Sequence, residues 1–143
     1  SAGCHAQCLH ALASERKRML YKKFALSAVF LWFAIGGVAH FVVPDFFLKI
    51  IPPSLPLRLQ AVYVSGFFEL MGALALLHTT YRRAAGIGLI CLTIAVTPAN
   101  VYMWLYPELF PSVPEVLLWM RLVLQVLLLW LIGWATGPSQ VKS

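Results

Sequence analysis

AVYVSGFFELMGALALL, residues 61–77, is an apolar run interrupted by one carboxylate, Glu69. With its flank from Leu57 it makes a helix long enough to cross about 30 Å of hydrocarbon at 1.5 Å per residue. A charge near the centre of such a helix costs roughly 2.5–3.5 kcal/mol, so Glu69 is expected to face protein and to find a partner. Steps of three and four residues put Ser65, Gly66, Gly72 and Ala73 on the same side of the helix, where small residues allow a neighbouring helix to approach closely.

The rest of the chain is of the same kind. Its 143 residues are 61% hydrophobic and 11% charged, with mean hydropathy +0.82, outside the range of soluble domains. Stretches 24–43, 57–77, 84–105 and 116–135 each reach spanning length. The fold class read from these runs is all-α, a polytopic membrane protein built as an antiparallel four-helix transmembrane bundle with short connections. The expected organisation is a disordered arm or extension over 1–18, a membrane domain over 19–137 and a tail over 138–143.

The formal charge of +6 belongs mostly to topology. Arg16, Lys17, Arg18, Lys22 and Lys23 precede the first span, Arg82 and Arg83 join the second to the third, and Lys142 lies in the tail. The opposite connections hold Lys49 and Arg58 beside Asp45, Glu108 and Glu115. The positive-inside rule therefore puts both termini in the cytoplasm. No soluble segment alternates basic and aromatic residues, which argues against nucleic-acid binding.

Each span also brings polar groups. Cys4, His5, Cys8 and His10 in the arm have metal-ligand chemistry without a standard zinc spacing. His40 follows Gly36, Gly37 and Ala39 near the end of the first span. An axial-ligand role there would need a second histidine at similar depth, and His78 falls at the other face. Pro44–Pro56, with Phe46, Phe47, Ile50 and Ile51 around Lys49, reads as an amphipathic turn at the lipid surface that caps one mouth of the bundle. In the third span Thr93, Thr97, Asn100 and Trp104 form a stripe broken by Pro98, where a kink is expected. Arg121 is the one cation well inside a span, with Gln125 a turn further on the same side. An ion pair between Glu69 and Arg121 is the simplest way to satisfy both charges.

GGVAHFVVPDFFLKIIPPSLP, VYVSGFFELMGALALL, AVTPANVYMWL and LLWMRLVLQVLLLW together make the chain resemble the DoxX-like family of small four-helix bacterial membrane proteins, over roughly Met19–Trp134. The resemblance implies His40, Glu69, Asn100, Arg121 and Gln125 as the characteristic polar positions, and a link in some relatives to respiratory or sulfur redox complexes. Cys91 is the one cysteine inside a span, which excludes direct disulfide chemistry with a partner cysteine, and no hydrolytic or metal constellation is present, so no catalytic role is read. The expected functions are an accessory or assembly subunit of a larger membrane complex, a small-molecule site for a quinone or an anion, or an oligomeric transporter. The expected partners are the lipid bilayer and other membrane subunits or further copies of the chain.

Overall fold

The computed structural model describes the backbone of residues 2–138 and the side chains of residues 7–138. Among these residues the chain is helical, with α1 over Ala2–Val42, α2 over Pro44–Ile50, α3 over Arg58–Leu77, α4 over Arg82–Ala95, α5 over Thr97–Leu105 and α6 over Glu115–Thr136. Four helices are long and apolar enough to cross a membrane: Gln7–Val42, Arg58–Leu77, Arg82–Leu105 and Glu115–Thr136.

α1 runs for 41 residues, and residues 2–18, expected to be a disordered arm, are its first turns. Eleven of its seventeen residues are Ala, Leu, Gln, Glu, Lys or Arg, all strong helix formers, and no proline occurs before Pro44. The side chains of Cys4 and His5 lie outside the described residues, as does the tail from 139 with Lys142, whereas Cys8 and His10 are exposed. α1 stops where Pro44 drives Val43 out of the helical region, to φ −129° and ψ 56°. Pro44 then opens α2, since a first-turn proline gives up no intrahelical bond.

α2 replaces the expected surface turn with two helical turns whose apolar side faces protein. Ile50 is buried and Phe47 half-buried, while Phe46 stays exposed. Arg58 donates from its guanidinium to the Leu48 carbonyl, satisfying one of the free carbonyls at the end of α2. Leu57 precedes α3 in the left-handed region, φ 56° and ψ 39°.

The third span is two helices in series, α4 and α5, interrupted at Val96 as Pro98 requires. The long helices form a closed ring of contacts, α1 on α3, α3 on α4, α4 on α6 and α6 on α1, and α5 packs on α6 and α2. One apolar layer joins Val29, Phe33, Ala73, Leu76, Ala85, Leu89 and Ile132. A second, at the end closed by α2, joins Ile50, Met103, Phe110 and Leu118. The polar side chains lie between these layers along each helix.

Candidate functional site

Glycines decide how closely α1 meets α3. A methyl group on Gly66 would lie 2.6 Å from the His40 Cβ and 3.1 Å from the Gly37 carbonyl, and one on Gly37 would lie 3.0 Å from the Gly66 carbonyl. Backbone therefore touches backbone at this crossing. His40 is held in the seam. Its Nδ1 donates to the Val62 carbonyl at 3.2 Å, and the Phe47 ring covers it with centroids 3.8 Å apart.

Glu69 completes this group. Its Oε1 stands 3.6 Å from His40 Nε2, the Ser65 hydroxyl reaches the same oxygen at 3.5 Å, and Oε2 points at the space a Gly36 side chain would fill. With Nδ1–H committed to Val62, Nε2 carries a proton only in the imidazolium form. One proton shared by the pair would leave it neutral on either partner, and at 3.6 Å the two atoms stand just beyond hydrogen-bond distance.

The expected Glu69–Arg121 bond does not form. Arg121 instead donates from Nε to Asn100 Oδ1 at 3.1 Å and points Nη1 at the Met103 thioether at 3.8 Å. Asn100 Nδ2 donates to Gln125 Oε1 at 2.6 Å, and Gln125 Nε2 donates to the Thr97 hydroxyl and, at 3.4 Å, to the Thr93 carbonyl. Beside the break at Val96, the Thr93 carbonyl accepts from Gln125 of α6 and from the Thr97 hydroxyl at 3.0 Å.

All five polar residues singled out in the sequence lie inward, His40 and Gln125 buried and the other three half-buried, but in two groups. His40 and Glu69 join α1 to α3, and Asn100, Arg121 and Gln125 join α5 to α6. The sequence did not reveal Phe47 over His40, the Val62 carbonyl or the Met103 sulfur, because each depends on how helices are rotated against one another. Thr93 and Thr97 were visible in the polar stripe, though not their bonds to Gln125. Among the described residues no group of three or more His, Cys, Asp and Glu side chains is placed to hold a metal ion.

The model of a family described as a domain of unknown function (DUF8561) matches residues 26–137. The chain belongs to that family. No curated protein and no solved structure gives a match. The family region takes in both polar groups and all of α2 to α6, and begins after the basic segment Arg16–Lys23.

Proposed function

We propose that this DUF8561 protein is an antiparallel four-helix membrane-spanning subunit with both termini in the cytoplasm of a bacterium. Its role is that of an accessory or assembly component of a larger, redox-type membrane complex. The observation that carries this reading is the Thr97–Gln125–Asn100–Arg121 chain of bonds, in which buried polar groups are spent on holding α5 to α6. Polar groups committed in this way specify a helix arrangement. The antiparallel sense is supported by the α1–α3 pairs, since Gly36 meets Glu69 while His40, further along α1, meets Val62, earlier on α3.

The outward face supports a partner or lipid throughout its height, with Phe24, Ile35, Phe67, Phe68, Val126 and Trp130 exposed. The redox part of the reading stands on the resemblance to DoxX-like proteins in the H-F-x-x-P, S-G-x-x-E, P-A-N and R-L-x-x-Q segments.

A second reading is favoured by Glu69, whose two contacts on Oε1 are both long. The carboxylate is free to exchange a proton with a quinone or to respond to an anion drawn by Arg121. One experiment separates the two. The protein is extracted from its native membrane in mild detergent, and what stays with it is identified by mass spectrometry. Stoichiometric recovery of redox subunits supports the accessory role. Recovery alone with a bound quinone moves the function to Glu69 and His40.

A further inference from the structure

α1 is about 60 Å long by its rise per residue, about twice the thickness of a hydrocarbon core. Its first turns continue beyond the end of α6 and leave a groove of about 460 Å³ in the angle between the two. His10, Ser14, Lys17, Arg18 and Tyr21 of α1 line it, facing Trp134 of α6. His10, Ser14, Lys17 and Tyr21 follow one another at four, three and four residues, so they share one face of the helix.

The angle is fixed rather than incidental. Lys22, one residue beyond the groove, donates from Nζ to the Gly137 carbonyl at 3.2 Å and stands 6.0 Å from the Trp134 ring centroid. That contact ties α1 to the last turn of α6 directly below the opening. Arg18 is half-buried there, while Lys17 is exposed to approach from outside. Among the described residues no carboxylate lines the groove, and the neighbouring acid, Glu15, is exposed outside it.

We propose that this groove binds the headgroup of an anionic phospholipid, with its phosphate between Lys17 and Arg18 and its glycerol beside Tyr21 and Trp134. Tyr and Trp are the side chains suited to that depth, having an apolar body and a polar tip. Guanidinium and ammonium groups just outside the hydrocarbon are the complement of a lipid phosphate. The inference rests on the membrane-spanning reading.

The test uses the full chain, purified in mild detergent, stripped of lipid and titrated with phosphatidylglycerol or phosphatidylcholine, with bound lipid counted by native mass spectrometry. The expected result is a preference of about tenfold for phosphatidylglycerol, lost in the double variant Lys17→Gln/Arg18→Gln and kept in Arg83→Gln, an exposed cation in the first turn of α4. Three results would overturn the groove: equal binding of the two lipids, an equal loss in Arg83→Gln, or displacement of the lipid by inorganic phosphate at matched concentration. Alkaline carbonate washing of the membranes tests the spanning reading separately. Release would overturn that reading and the groove with it, whereas retention with equal lipid binding overturns the groove alone.

Discussion

Gln125 bonds across to three groups on the broken third span, the Thr93 carbonyl, the Thr97 hydroxyl and the Asn100 amide. Gln125→Leu is expected to cost about 1–3 kcal/mol, because the Asn100 amide and the Thr93 carbonyl lose a buried partner. Asn100→Leu in the same background should cost less than it does alone, since the two side chains are coupled directly. Reversible unfolding in mixed detergent micelles measures both, and strict additivity would show that the bond is idle. Glu69→Gln is expected to leave the fold within about 1 kcal/mol, because its contacts to Ser65 and His40 are long. If this change unfolds the protein, Glu69 is a structural anchor and the proton-exchange reading fails. These five polar residues were legible in the sequence because each interrupts an apolar run. Their pairing was not, since the break at Val96 and the rotation of α6 decide that Arg121 meets Asn100 and leaves Glu69 to His40.

At the scale of elements, the α1–α3 seam makes the sharpest demand. Gly66→Ala puts a methyl against the His40 Cβ and the Gly37 carbonyl, neither of which can swing aside, so a loss of about 1–3 kcal/mol is expected. Gly88→Ala meets nothing within 4 Å on α4 and is expected to be neutral or to gain up to about 1 kcal/mol in helix propensity. Thermal denaturation in detergent ranks the pair, and equal effects would mean that α1 and α3 do not touch through their backbones. Leu57 tests the entry to α3 in the opposite direction. It holds a left-handed conformation with its side chain 69% exposed, so Leu57→Gly is expected to stabilise by about 1 kcal/mol, read in the same melts. Three of the four long apolar helices were legible to within a few residues from their apolar runs, α1 only at its end, and the break from Pro98. Helix over residues 2–18 was not, because that segment has no apolar run and only its propensity favours a helix. The inward side of α2 was hidden for another reason, that Ile50 needs Met103, Phe110 and Leu118 from distant helices to bury it.

For the whole molecule, the ring of helices turns a charge pattern into a testable orientation. Cys8 lies on α1 well before its uncharged apolar run from Phe24, and Ser112 lies in the connection before α6, both exposed. On the proposed spanning arrangement the apolar part of α1, then α3, then α4 with α5 separate the two positions, three crossings that put them on opposite sides of a bilayer. The positive-inside rule puts Cys8, beside Arg16, Lys17 and Arg18, in the cytoplasm, and Ser112, between Glu108 and Glu115, outside. Two variants test this, one keeping Cys8 with Cys4 and Cys91 changed to Ala, the other with all three changed and Ser112→Cys added. A membrane-impermeant maleimide is expected to label Ser112→Cys in intact cells and Cys8 only after permeabilisation. The reverse pattern would invert the orientation and put the basic groove outside, away from the anionic inner leaflet it is matched to. Labelling of both from one side would mean that one of the three separating segments does not cross, and Glu69 and Arg121 would then lose the apolar surroundings that make their burial costly.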